Sequence, residues 1–458
     1  METFNPHPYQ INAIQAMVIK PGFALFLDPG MGKTSTTLAC VEIFRRHNAM
    51  RAALVIAPIR PLRNTWPAEV HKWTEFNGLR VSLALGTPAQ RIAALREDAD
   101  VYLINPENVA WLANTKEAFK ALRADVLVVD ESQKFKSHKA ERFRALRALL
   151  PCFRRRFILT GTPAAQSLMD LWAQIFLLDN GQRLGRTITV FRNRWFNEIV
   201  NQWGGRTYSL KQGAEQEIFA AIADVCMRLS GSDYLTMPER VNNYIYVTLP
   251  ADACKFYVTV NRDFGAEGIS VSTAAALSMK LRQISNGAVY RDDGRFQSVH
   301  TAKLEALRDL IEEQQGQPLL VAVSYRHDVA RIREYLDEPL PYLGGGVSTK
   351  VSDAIIARWN RREIPVLLAH PASVASGLNL QEGGRAMAWF GLSYSLEENI
   401  QMVSRIWRQG QKNACVIHYI IAQGTRDEDV IAAVAAKGEV QKRLFDALSK
   451  LQTVKVEQ

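Results

Sequence analysis

Short apolar runs recur along the first 180 residues, each followed by a stretch with a different period. "FALFL" (Phe23 to Leu27), "AALVIA", "VSLAL", "VYLIN", "VLVVD" and "RFILT" are long enough for strands buried on both faces. The stretch "STTLACVEIFRR" carries Leu38, Val41 and Phe44 at helical spacing. Strands alternating with helices predict a parallel sheet covered on both faces. A second series starts near Lys303 with "PLLVAVS", "PVLLAH", "AMAWFG" and "CVIHYII", preceded by the helical "KLEALRDLIEEQ". Two α/β lobes are expected, over 1–180 and 301–458. Residues 181–300 read differently: "FRNRWFNEIVNQW" and "QEIFAAIADVCMRL" predict helices, and "NNYIYVTL" one alternating strand. That stretch is expected to be a mainly helical insertion and linker.

Composition narrows the class. A chain of 458 residues suggests roughly two to three domains. Its 47% hydrophobic and 22% charged content is that of an ordinary globular protein. No apolar run approaches the about 18 residues of a membrane span, and the first residues lack a signal-peptide pattern. Five scattered cysteines argue for a reducing cytoplasm and against a disulfide framework or zinc. The formal charge of +10 suits a polyanionic partner.

Candidate chemistry sits where strands end. "LDPGMGKT" (Leu27 to Thr34) ends like a phosphate-binding loop but has Leu27 where G-x-x-x-x-G-K-[ST] opens on glycine. Strand, glycine turn and helix would aim backbone N–H groups of residues 29–34 at phosphates. Asp28, Pro29, Gly30, Met31, Gly32, Lys33, Thr34 and Ser35 form the candidate ATP cradle. Lys33 would reach the β- and γ-phosphates and Thr34 would ligate Mg²⁺. "VLVVDESQ" ends a strand in two carboxylates: Asp130 to hold Mg²⁺, Glu131 to orient and deprotonate the attacking water. Thr160 and Thr162 in "FILTGTP" could relay the state of the γ-phosphate. Arg405 and Arg408, three apart, would share a helix face and stabilise charge on the transferred phosphoryl group.

The ordered set "PYQ", "DPGMGKT", "IAPIRPLRNTW", "DESQ", "LTGTP", "SGLNL" and "QMVSRIWRQGQ" resembles superfamily-two helicase-type motors. With "LWAQIFLL" and "LRQISNGAVY" it is most similar to the Swi/Snf-like group of DNA translocases, in the compact form found in bacteriophages and prophages. The resemblance covers nearly the whole chain. It implies two RecA-like lobes that close on ATP and Mg²⁺, and a phosphate loop that tolerates Leu27. It also implies that Gln10 reads adenine and that the motor acts on DNA without reading sequence, duplex being favoured.

Candidate DNA contacts are Arg60, Arg63, Asn105, Ser373 and Ser376. Trp66 and Trp73, at helical spacing, read as core in preference to base-stacking residues. Three positions depart from the group: Ser132 and Gln133 in "DESQ", and Ala375 in "SVASGLNL"; they bear on how ATP is coupled to DNA. The rivals are a strand-separating helicase, the motor subunit of a larger DNA-processing or restriction assembly with an accessory nuclease or reader, and a non-hydrolysing clamp. A monomeric motor in the cytoplasm of a bacterial host is expected.

Overall fold

The computed structural model describes all residues except 201–205, 230–236, 375–377 and 457–458, and of residues 449–456 the backbone alone. The chain forms two compact units, Met1–Leu235 with Lys437–Gln458, and Thr236–Ala436.

The first unit contains β1 (Gly22–Leu27), β2 (Ala53–Ile56), β3 (Val81–Leu83), β4 (Val101–Ile104), β5 (Val126–Asp130), β6 (Arg155–Thr160), a hairpin β7 (Phe196–Val200) and β8 (Arg206–Leu210), and β9 (Cys226–Leu229). All but the hairpin join one parallel sheet in the order β3-β4-β2-β5-β6-β1-β9. The six apolar runs are the strands β1 to β6, and β2, β4 and β5 are buried throughout, as strands covered on both faces must be.

Two expected helices are shorter than their patterns. Helix Ile188–Trp195 stops where Phe196 turns extended, and Phe196–Val200 pairs with β8 instead; Ile199 and Val200 are β-branched and favour a strand. The rest of that pattern, 201–203, lies outside the described residues. Helix Ala214–Ile222 likewise gives way to β9, whose Cys226–Leu229 alternates buried with half-buried as an edge strand does.

The second unit contains β10 (Arg240–Val247), the small hairpins β11 (Gly265–Ala266) with β12 (Ile269–Ser270) and β13 (Ala288–Tyr290) with β14 (Phe296–Ser298), then β15 (Leu319–Ala322), β16 (Tyr342–Leu343), β17 (Val366–Ala369), β18 (Ala386–Trp389) and β19 (Cys415–Ala422). Six of these form a parallel sheet, β10-β19-β18-β15-β17-β16. Each unit is thus a RecA-like lobe. Helices Ala251–Asp263 and Ala274–Ser285 build a small separate core around Tyr257, Val260, Leu281 and Ile284.

The stretch 181–300 is therefore divided between the two units and rich in strands. The C-terminal helix, Arg426–Val456, begins in the second unit, but its residues from Lys437 onward belong to the first. Leu444, Phe445 and Leu448 enter the first unit's core, so the stretch 301–458 also serves both. Among the described residues no helix is long and apolar enough to cross a membrane.

Candidate nucleotide site

The loop after β1 has the backbone its glycines were expected to provide. Gly30 and Gly32 take φ of 87° and 70°, a region costly for residues with a Cβ. Gly32 has a second reason: a Cβ there would lie 2.5 Å from Gln10 Nε2. Gly32 begins the helix α2 (Lys33–Arg46, named after α1, Pro8–Ile19), and no side chain caps it. The first N–H groups of α2 are thus left for an anion, where the helix dipole favours one. Leu27, in place of the opening glycine, is the buried last residue of β1.

The start of α1 is fastened to this loop. Tyr9 donates its hydroxyl to Met31 O at 3.3 Å, and Gln10 Nε2 donates to Thr36 Oγ1 at 3.3 Å. Gln10 Oε1 accepts from His7 N at 2.9 Å. Each end of the Gln10 amide keeps capacity for one further bond. Lys33 Nζ rests on the loop's own carbonyls, Leu27 O at 2.8 Å and Asp28 O at 3.2 Å, while Ser35 Oγ donates to Gly32 O at 3.0 Å.

Strands β5, β6 and β1 are neighbours, so their C-terminal loops lie side by side, where parallel α/β sheets bind ligands. Asp130 aligns with Leu159 of β6, and Thr160 with Phe26 of β1. With strands about 4.8 Å apart, the ends of β5 and β1 are separated by about 10 Å. Asp130 is buried; its Oδ2 accepts from Trp66 Nε1 at 3.3 Å and its Oδ1 from Glu131 N at 3.0 Å. Burial, and then the Glu131 charge, raise the Asp130 pKa, while the Lys33 ammonium opposes the rise. A buried carboxylate so placed, within electrostatic reach of the loop lysine, fits a divalent cation bound with a nucleotide.

Glu131 has left-handed backbone, φ 53° and ψ 54°, a strained conformation for a side chain of its size, of the kind that concentrates at functional sites. Its Oε2 accepts from Gln133 Nε2 at 2.6 Å. Thr160 Oγ1 donates to Gln133 Oε1 at 2.6 Å and accepts from Thr162 N at 3.0 Å. A parallel bridge runs from Ser132 Oγ to Gln174 Oε1 at 2.7 Å, and from Gln174 Nε2 to Pro163 O at 2.7 Å. Trp66 and Gln174 carry no sequence signal for these roles. Trp66 is indeed buried, but its indole N–H serves Asp130; Trp73 donates to Glu69 Oε2 at 2.6 Å and packs edge-on to Phe4.

The remaining expected residues divide. Arg60 and exposed Arg63 flank and occupy a single π-helical turn, Pro61–Thr65, and Arg60 Nη1 is buried with no hydrogen bond. Such turns recur at functional sites. Asn105 is buried, its Nδ2 given to Glu107 Oε2 at 2.6 Å and its Oδ1 taken by Asn108, so it is not presented as a surface contact. Ser373 is half-buried on the short helix Pro371–Val374. Ser376, with Ala375, lies outside the described residues.

Arg405 and Arg408 do not share a helix face: helix Leu396–Val403 ends before them, and both occupy turns closed by Gly410 at φ 92°. Arg405 is buried, donating Nε to Gln401 O and Nη1 to Leu378 O, each at 2.8 Å. The Arg408 guanidinium has no hydrogen-bond or ion-pair partner among the described residues, and burial lowers its pKa.

Comparison with known proteins agrees with the order of these elements. A family profile for the SNF2-related domain matches residues 9–299, and one for the helicase conserved C-terminal domain matches 302–410. The chain is 33% identical to protein p41 of the Acyrthosiphon pisum secondary endosymbiont phage 1, over 98% of this chain and 100% of p41. It is 25% identical to YwqA of Bacillus subtilis, named for ATP-dependent helicase or translocase activity, over 98% of this chain and 50% of YwqA. With the human DNA annealing helicase and endonuclease ZRANB3 it shares 24% identity, over 94% of this chain and 40% of that protein. The chain thus spans all of one relative and half or less of the two others. With a glycine loop and lysine after β1, two carboxylates at the end of β5 and these matches along its length, the chain belongs to the SNF2-related family of helicase-type ATPases.

Proposed function

We propose that the protein hydrolyses ATP to move along duplex DNA. The observation that carries this reading is that Lys33, after β1, and Asp130 and Glu131, at the end of β5, lie on the same edge of the sheet with only β6 between them, beside the uncapped start of α2. Backbone groups of residues 28–35, from Asp28 through Pro29, Gly30, Met31 and Gly32 to Ser35, cradle the phosphates, and Gln10 pairs with the adenine edge. Lys33 leaves its carbonyls to meet the β- and γ-phosphates. Thr34 and Asp130 would hold Mg²⁺, which when bound would neutralise charge on the phosphate oxygens. Glu131, held by Gln133, aligns a water for in-line attack on the γ-phosphorus and accepts its proton. Arg405 and Arg408 stabilise the charge that develops on the transferred phosphoryl group.

Arg60, Arg63 and Ser373, with Ser376, grip DNA phosphates without reading bases; the net charge of +10 supports such a grip. Work in a host-cell cytoplasm, as a monomeric motor with any nuclease or reader supplied by another protein, completes the reading.

The test is ATPase rate with no nucleic acid, single-stranded DNA, duplex DNA and RNA, together with displacement of a third strand from a triplex. Duplex should stimulate at least as well as single strands, with a steep loss in salt, and the triplex strand should be released. One observation favours a second reading, strand separation: the hairpin β7–β8 carries Ile199 and Val200 at 52% and 60% exposure. Efficient opening of a forked duplex, with stimulation by single strands alone, would select that reading.

A further inference from the structure

The phosphate loop contains one carboxylate of its own, Asp28, and the structure holds it from an unexpected direction. Arg228 lies on the edge strand β9, level with Phe26 of β1. Its guanidinium Nη2 is 3.0 Å from Asp28 Oδ1, while Nη1 donates to Phe26 O at 3.3 Å and to Leu229 O. The Arg228 side chain is only 7% exposed, and the ring of Phe445 covers it, its centroid 3.7 Å from the guanidinium carbon. A cation between an aromatic face and a carboxylate, shielded from water, interacts far more strongly than a surface pair.

Phe445 comes from the C-terminal helix, more than 200 positions along the chain from Arg228. That helix is anchored by Leu444 and Leu448, both fully buried in the first unit's core. One turn before Phe445, Gln441 Nε2 donates to Gly161 O at 3.4 Å. Gly161 in turn abuts the loop: a Cβ there would lie 3.3 Å from Leu27 O and 3.4 Å from Pro29 Cδ. The helix thus bears on the loop twice, through Arg228 to Asp28 and through Gly161 to Leu27 and Pro29. The Asp28 carbonyl is also a resting point of the Lys33 ammonium, so the position of Asp28 sets where Lys33 starts.

We propose that Arg228 is a positioning residue of the nucleotide site, held in place by Phe445, which neutralises Asp28 and so sets ATP affinity. The Asp28 carboxylate without the guanidinium beside it would repel a triphosphate entering the loop more strongly; with Arg228 paired to it, that repulsion is reduced. This inference rests on the nucleotide reading above, and Lys33→Ala separates the two.

Binding of a non-hydrolysable ATP analogue with Mg²⁺, and KM and kcat with duplex DNA, would be measured on the full chain. Arg228→Ala should weaken binding about ten- to a hundredfold, with kcat at saturating ATP within about twofold of the parent. Adding Asp28→Asn to Arg228→Ala should recover most of the lost binding, which a merely structural arginine would not allow. Phe445→Leu, which keeps an apolar side chain but removes the ring face, should cost a few-fold in binding with little change in melting temperature. Should Arg228→Ala fail to fold, Arg228→Lys keeps the charge and loses the fork, and an intermediate loss is expected. Binding by Arg228→Ala or Arg228→Lys within twofold of the parent, or a loss that Asp28→Asn leaves unrepaired, overturns the proposal when Lys33→Ala binds weakly as expected. If Lys33→Ala binds like the parent, the nucleotide reading itself fails.

Discussion

Replacing Thr160 with valine removes one hydroxyl from a fully buried place between the loops that follow β5 and β6. That hydroxyl donates to Gln133 Oε1 at 2.6 Å and accepts from Thr162 N at 3.0 Å. Gln133 and Thr162 are each 2% exposed, so water cannot take over either bond. The buried Thr162 N–H loses its acceptor outright, which costs about 1–3 kcal/mol, and Gln133 loses one donor, worth about 1 kcal/mol more. Together these predict a loss of about 2–4 kcal/mol and a melting shift of roughly 5–10 °C for a unit of this size. The chemical effect follows through Gln133, whose amide nitrogen holds Glu131 at 2.6 Å. A Gln133 that has lost this bond holds the Glu131 carboxylate less firmly, and a displacement of about 1 Å at a group proposed to orient water costs up to about a hundredfold in rate. Steady-state ATPase with duplex DNA should therefore show kcat lowered about ten- to a hundredfold. Binding of an ATP analogue should be unchanged, because the loop contacts are untouched. Thr160→Ser keeps the hydroxyl and should behave like the parent. Thr160→Val with parental kcat and melting temperature would refute the relay.

Lys33→Ala should weaken ATP binding, whereas Glu131→Gln should leave binding nearly intact and lower turnover about a hundredfold or more; equal loss of binding in both would contradict the assigned roles. Gln10→Ala should raise the KM for ATP and erode preference over GTP, and an unchanged ATP/GTP ratio would remove Gln10 from the base pocket. Arg405→Ala and Arg408→Ala should both lower kcat while sparing ATP binding. Only Arg405→Ala should also lower the melting temperature, because it alone donates to the carbonyls of Gln401 and Leu378.

The central strands were legible because a strand buried on both faces must be apolar throughout, and "VLVVD" or "PLLVAVS" have few other uses. The glycine loop was legible for a similar reason: positive φ at Gly30 and Gly32 demands those residues, and the lysine follows at fixed spacing. The edge strand β9 was not. In Cys226–Leu229 only alternate residues are buried, and four residues following a helical run cannot outweigh its period. Arg405 and Arg408 have the spacing of a helix turn, but the helix ends two residues before Arg405, and the glycine that closes the following turns, Gly410, comes only after both. Arg228, Trp66 and Gln174 were invisible because each acts through a partner distant in sequence, and a single chain's pattern records local period alone.

The departures at Ser132 and Gln133 acquire a meaning once those partners are known. A small apolar residue at 132 could make no side-chain hydrogen bond; Ser132 makes one to Gln174, which continues to Pro163 O. Gln133 joins Glu131 to Thr160. Both residues therefore tie the loop after β5 to the loop after β6, and they do so where water cannot compete. The other carboxylate is held separately. Asp130 accepts from Trp66, the first residue of helix Trp66–Lys72, which directly continues the π-helical turn carrying Arg63. A DNA phosphate drawn to Arg63 would load that turn, and the indole N–H at 3.3 Å is already long enough that a shift of a few tenths of an ångström either tightens or breaks it. Phosphate grip would then act on Asp130, whereas the Glu131 carboxylate is tied through Gln133 to Thr160. The two carboxylates, adjacent in sequence, answer to different segments of the unit.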